Sequence, residues 1–100
     1  MVIKWSDFSK NNMQDFVKYS KMENPTKYIE NLVLSVSILE NYPEAGKVLF
    51  YTNNIAVRQL IYKMHRIIYR IKDNEIHIGA VLHTSKDLES SLKFVNRFFN

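Results

Sequence analysis

Arg66, Arg70, Lys72, His77 and His83 fall within one stretch, HRIIYRIKDNEIHIGAVLHTSKD from His65 to Asp87, among aliphatic residues. Guanidinium and ammonium groups bind phosphates and carboxylates, and an imidazole titrating near neutrality can give or take a proton. Gathered on one surface, such groups suit a polyanionic partner. Strand geometry would gather them, because successive side chains point to opposite faces. The stretch reads as two strands joined at Asp73-Asn74, residue types that tolerate the positive φ of a two-residue hairpin turn. That turn pairs Lys72 with Glu75, Arg70 with His77, Ile68 with Gly79 and Arg66 with Val81. One face then collects Ile67, Tyr69, Ile71, Ile76, Ile78, Ala80 and Leu82 and is expected to be core. The other collects Arg66, Arg70, Lys72, His77 and His83 around Gly79 and is expected to lie open.

The elements that must position this hairpin follow from local signals. Met1 to Trp5 is apolar and β-prone, a short first strand. Ser6 or Asp7 caps a helix whose Phe8, Met13, Phe16, Val17 and Ser20 share one face. Asn24-Pro25 starts a second helix, with Asn24 as N-cap and Pro25 in its first turn. Ile29, Leu32, Val33, Val36 and Leu39 are spaced for burial along it, and Tyr42-Pro43 ends it after about Asn41. So short a link between the helices predicts an antiparallel hairpin. Glu44 to Asn54 reads as a loop, Val57 to Tyr62 as a strand turning at Lys63-Met64 into His65. A last helix begins near Asp87, with Leu88, Leu92, Val95 and Phe99 at helical spacing. The expected fold is a single α+β domain over residues 1–100: strand, two helices, three strands in a meander and one helix, with a mostly antiparallel sheet.

Composition narrows the classes. At 46% hydrophobic and 13% aromatic, the chain of 100 residues has material for a packed core. It has no cysteine, so disulfides and thiolate metal sites are excluded, which fits a reducing cytoplasm. No secretory leader is expected from MVIKWSDF, and no apolar run is long enough to cross a bilayer. A net charge of +4 and a pI near 9.4 favour anionic macromolecular partners. HExxH, a glycine-rich phosphate loop and a nucleophile elbow are all absent, and the three histidines are too dispersed to suggest zinc. Neither a cofactor, a small-molecule ligand nor a membrane is implied.

Individual residues carry different expectations. His65 falls on the apolar face, where a hydrogen-bonded structural role is expected. His77 reads as a solvated cross-strand neighbour of Arg70. His83 ends a strand just before a helix start, a location where anions are readily held. The side of Arg58 depends on the turn at Lys63-Met64: two residues put it beside Tyr69 on the helix side, and one more flips it to the open face beside Arg66. Phe94, Phe98 and Phe99 in the last helix read first as packing on the sheet and second as a partner patch.

The HRIIYRI…VLHTSKD pair, the preceding YPEAGK loop, the VRQL strand start and the order of elements resemble the RelE/ParE superfamily of bacterial toxins, over nearly the whole chain. The resemblance implies the toxin half of a type II toxin–antitoxin pair, a growth inhibitor neutralised by a cognate antitoxin. RelE-like members are ribosome-dependent endoribonucleases that cut mRNA. In that scheme Arg66 matches the strand arginine that stabilises a pentacovalent phosphate, and His83 matches a histidine serving as general acid. Lys86 falls near a position often held by arginine, and Glu44 near a glutamate used as base. Val57 and Gln59 stand where such members place lysines, and Leu92 stands nearest a tyrosine of the last helix.

The RIIYRI and VLH…D wording is similar to the ParE branch, whose members poison DNA gyrase without cutting RNA. Arg58, Arg66, Arg70 and His77 would then contact nucleic acid or the protein target. Three readings stay open: gyrase poison, mRNA endonuclease acting on the ribosome, and a non-toxic relative that only binds an antitoxin. In each, the basic sheet face and a groove beside the last helix would receive an acidic, amphipathic antitoxin tail that folds on binding.

Overall fold

A computed structural model describes residues 1–99. Strand β1 (Val2–Trp5) leads into helices α1 (Asp7–Tyr19) and α2 (Pro25–Val36), the latter prolonged by a 3-10 turn over Ser37–Glu40. Four strands follow, β2 (Lys47–Thr52), β3 (Ile55–Tyr62), β4 (His65–Lys72) and β5 (Glu75–His83), then short helices α3 (Leu88–Leu92) and α4 (Val95–Phe98). The strands form one sheet in the order β1-β5-β4-β3-β2, with β1 parallel to β5 and every other pair antiparallel. The α+β class is as expected, and so are the caps of α1 and α2, whereas the last helix starts from Asp87 and not from a Thr84 or Ser85 cap. Ser6 Oγ accepts from the Ser9 N–H at 3.1 Å, and Asn24 Oδ1 accepts from the Lys27 N–H at 3.1 Å.

Three expectations need correction. The stretch expected as a loop contains strand β2, so the meander has four strands. Asn53 and Asn54, with φ of 51° and 65°, form the tight turn between β2 and β3. Asp73 and Asn74 do the same between β4 and β5, with φ of 54° and 59°. Asn and Asp both tolerate this left-handed backbone, and the strand before the first turn, VLFYT, carries no polar alternation to mark it.

The second correction concerns register. Pairing runs as expected from Lys72↔Glu75 to Tyr69↔Ile78, but Gly79 is then an extra residue and Ile68 pairs with Ala80. This β-bulge reverses the remaining faces of β5. Arg66 pairs with Leu82 and His65 with His83. Ala80 and Leu82 therefore leave the face of Ile67 and Tyr69, and Val81 joins it.

The third concerns the covering of the sheet. Instead of one open face, each side carries a core. The helical hairpin buries Tyr28, Leu32, Val36 and Leu39 against Ile67, Tyr69, Ile76, Ile78 and Val81. On the other side Phe98, with Phe8, Leu88, Leu92 and Val95, covers Val57, Ile68, Ala80 and Leu82. The last helix is broken at Phe94 into α3 and α4; Phe98 stacks on Phe8 at 5.0 Å, while Phe94 stays exposed. A Cβ on Gly79 would lie 2.6 Å from the Phe99 ring and 2.9 Å from Phe98 Cβ, so this crossing requires glycine.

Beyond Ile78, strand β5 has no β1 neighbour, and α1 supplies its missing partners. Ser6 donates to the Ile78 and Gly79 carbonyls through its N–H and Oγ, at 2.9 and 2.8 Å, and Asn12 Oδ1 accepts from the Val81 N–H at 2.9 Å.

Two polar side chains are braced inside the hairpin-side core. The Tyr69 hydroxyl donates to the Pro43 carbonyl and accepts from the Gly46 N–H, both at 2.8 Å, tying the loop before β2 to the centre of the sheet. Burial raises its pKa, so it remains a neutral donor. His65 Nδ1 lies 2.8 Å from the Tyr28 hydroxyl, and its ring is enclosed by Phe16, Tyr28 and His83.

Tyr69→Phe leaves the Gly46 N–H and the Pro43 carbonyl without their buried partner, at a cost of about 1–3 kcal/mol; the urea midpoint measures it, and an unchanged midpoint contradicts the brace. Burial first, and His83 second, lower the His65 pKa from 6.5 to about 4. Between those values the unfolded chain takes up a proton that the folded chain refuses. Stability is therefore full above pH 6.5 and falls as pH drops towards about 4, by on the order of 3 kcal/mol. Urea midpoints at pH 7.5, 6.5, 5.5 and 4.5 should show this slope, and His65→Gln should flatten it.

Candidate functional site: a cationic sheet face

The face of β4 that carries Arg66 and Arg70 is only partly covered by α3 and α4. Arg66 is fixed by two tethers: its Nη1 donates to Gln59 Oε1 at 2.9 Å and its Nη2 to the Thr84 carbonyl at 3.4 Å. Its Nε is buried without a protein acceptor. Gln59 thus serves as the anchor of the arginine. Across β3, Lys47 pairs with Gln59 and shares its face, since directly opposed residues of antiparallel strands point the same way. Sequence reasoning missed Lys47 because β2 was read as a loop; the hydrophobic run VLFYT was the available signal.

A groove of about 270 Å³ lies beside this face, lined by Phe8, Leu82, Phe94 and Phe98 with Lys86 and Arg97 among them. Lys86 is exposed on the turn after β5, and its N–H donates to the His83 carbonyl at 3.0 Å. The result is an apolar trough beside Arg66, the cross-strand neighbour of Leu82, with Lys86 and Arg97 at its helical rim. Such a surface suits a segment with apolar and carboxylate side chains.

His83 is not part of it. The bulge at Gly79 turns it onto the His65 side, where the two rings meet edge to face at 5.4 Å. Its Nδ1 accepts from the Ser85 N–H at 3.0 Å and lies 2.7 Å from Ser85 Oγ. The neutral ring therefore carries its proton on Nε2. In this register Arg66 and His83 project to opposite sides of the sheet.

Further along β4, Arg70 stacks over the Phe99 ring at 4.3 Å with its Nε buried and unpartnered. A guanidinium held in this way is a cap on the C-terminal segment. His77 pairs with Arg70 and with Lys4 of β1, and its Nε2 lies 3.5 Å from Glu75 Oε1. Lys4 Nζ reaches the other Glu75 oxygen at 3.0 Å. Lys4, Glu75 and His77 thus make a local charged row at the sheet end remote from Arg66.

Arg58 lies beside Tyr69 on the helix side, the outcome of a two-residue turn at Lys63-Met64. Its Nη1 donates to the Glu44 and Gly46 carbonyls at 3.2 and 3.0 Å. Glu44 contributes that backbone oxygen while its carboxylate faces solvent. The seven candidates are therefore dispersed. Arg66 and Lys86 flank the trough, Arg70 and His77 occupy the opposite end of the sheet, His83 is behind it, and Arg58 and Glu44 brace the β2 loop. Among the described residues no cluster of three His, Asp or Glu side chains could hold a metal ion, and no helix is long and apolar enough to cross a membrane.

Residues 3–88 match the family model described as ParE toxin of type II toxin–antitoxin system, parDE. No curated protein matches the chain. The matched span runs from the second residue of β1 to the first residue of α3, taking in β2 to β5, the helical hairpin and the turn that carries Lys86. By that match the chain belongs to the ParE toxin family, the toxin side of a type II toxin–antitoxin pair whose partner is a cognate antitoxin.

Proposed function

We propose that this toxin inhibits growth in the bacterial cytoplasm by binding and poisoning DNA gyrase, without phosphoryl-transfer chemistry of its own. The separation of Arg66 from His83 by the sheet carries this reading. An endonuclease of this fold needs a cation and a proton donor on one phosphate, and here the guanidinium is engaged by Gln59 and Thr84 while the imidazole lies behind it. A binding toxin needs only a shaped, charged surface, which the cationic trough offers. The same trough is the proposed seat of an acidic antitoxin tail, whose apolar side chains would enter between Phe94 and Leu82 while its carboxylates meet Lys86 and Arg97.

Induced expression in a bacterial host without antitoxin, with labelled translation and a DNA-damage reporter followed together, tests the target. The expected result is induction of the damage response while translation continues, with His83→Ala as toxic as the wild type. An early fall in translation with cleaved mRNA, relieved about 10²-fold or more by His83→Ala, would overturn the reading in favour of an endonuclease. Normal growth would leave only the antitoxin-binding role. For the neutralising contact, Lys86→Glu with Arg97→Glu should weaken antitoxin binding at least about tenfold and flatten its salt dependence, as measured by titration at 50 and 300 mM salt.

A further inference from the structure

Helix α2 is apolar on two sides, and this chain buries only one. Tyr28, Leu32, Val36 and Leu39 face the sheet. On the outer side Leu34, Ile38 and Tyr42 recur every fourth residue from the helix through its 3-10 extension to the loop just beyond it, 68%, 49% and 65% exposed, with Val33 beside them at 37%. A helix that is apolar all round is normally covered all round. The ridge from Val33 to Tyr42 is about 14 Å long at helical rise, the length of a docked helix of two to three turns.

The surroundings of the ridge define what would cover it. Three shallow grooves of about 470, 620 and 560 Å³ adjoin it, and each carries one carboxylate: Glu30 in the first, Glu40 in the second and Glu44 in the third. No lysine or arginine lines any of them. The Met1 ammonium, at the second groove, is directed to the Glu40 carbonyl at 3.0 Å. None of the three glutamates forms an ion pair among the described residues. In a chain of net charge +4, the charged side chains lining these grooves are carboxylates only, the nearest cations being the Met1 ammonium and the Arg58 guanidinium at the Glu44 carbonyl.

We propose that the outer face of α2 and its 3-10 extension docks a basic amphipathic helix of a second protein, independently of the cationic trough. The partner's apolar stripe would lie along Leu34, Ile38 and Tyr42, its lysines or arginines against Glu30, Glu40 and Glu44. Charge selects this occupant over its competitors. A second copy seated by a two-fold axis would bring the three carboxylates against themselves. An acidic antitoxin tail would meet the same repulsion, and so would an anionic lipid surface. The trough and the ridge lie on opposite sides of the sheet, so both can be filled at once.

The probe is a fluorescein-labelled amphipathic peptide of leucine and lysine, 14 residues at heptad spacing, with a matched leucine–glutamate peptide, read by anisotropy. The wild-type protein should bind the leucine–lysine peptide and ignore the leucine–glutamate one. Leu34→Ser with Ile38→Ser, and separately Glu30→Lys with Glu40→Lys and Glu44→Lys, should each lose at least about tenfold in affinity, with unchanged urea midpoints because all five side chains are exposed. No binding by the wild type, equal binding of both peptides, or undiminished binding by either variant would overturn the proposal. Self-association of the wild type that Leu34→Ser with Ile38→Ser abolishes would overturn it in favour of a second copy. Peptide binding is read without growth or gyrase, so its outcome is separate from that of the toxin assay.

Discussion

Strand β5 has one residue more than its partner needs, and the arrangement of both cores follows from where that residue falls. With Gly79 unpaired, the strand presents Ile76 and Ile78 to the helical hairpin before the bulge and Val81 after it, while Ala80 and Leu82 turn to the other side. The same residue, lacking a side chain, leaves room for Phe98 and Phe99 to cross the sheet. Without the switch Ala80 and Leu82 would fall on the hairpin side, and α4 would have no apolar floor to cover. The bulge also sends His83 to the His65 side, so the separation of the imidazole from Arg66 has the same backbone cause.

Around this centre, polar side chains connect elements that apolar packing alone would leave loose. Tyr69 holds the loop before β2 at Pro43 and Gly46, and Arg58 holds the same loop through the Glu44 and Gly46 carbonyls. Ser6 and Asn12 complete the edge of β5 beyond β1. Arg66 spans from β3 to the turn after β5. In each case a polar side chain is committed to a partner within the fold, which removes it from the pool free for catalysis. The exposed cations Lys86 and Arg97 border an apolar trough and suit association with an acidic partner.

The chain thereby separates two surfaces of opposite character. One is a cationic trough over β4 and the C-terminal helices; the other is an apolar ridge on α2 rimmed by glutamates. The sheet lies between them, so a partner on one side need not exclude a partner on the other. For a small toxin that must meet both a target and an antitoxin, two independent surfaces are a direct physical route to more than one contact.

Sequence by itself determined the element types other than β2, the helix caps at Ser6 and Asn24, the Asp73-Asn74 turn and the burial of Ile67, Tyr69, Ile76 and Ile78, because each depends on residues within a turn or two of chain. It also carried the toxin-family resemblance, which rests on short local wording. The side of Arg58 was undecided there, since it turned on one residue of loop length; the two-residue turn at Lys63-Met64 settled it. Strand β2 was hidden because its apolar run VLFYT shows no polar alternation. The placement of His83, the anchoring of Arg66 by Gln59 and the covering of the β4 face were decided only by tertiary structure. A bulge costs one residue locally but reverses every side chain beyond it, and only the packing of Phe98 and Phe99 against Gly79 selects where it occurs.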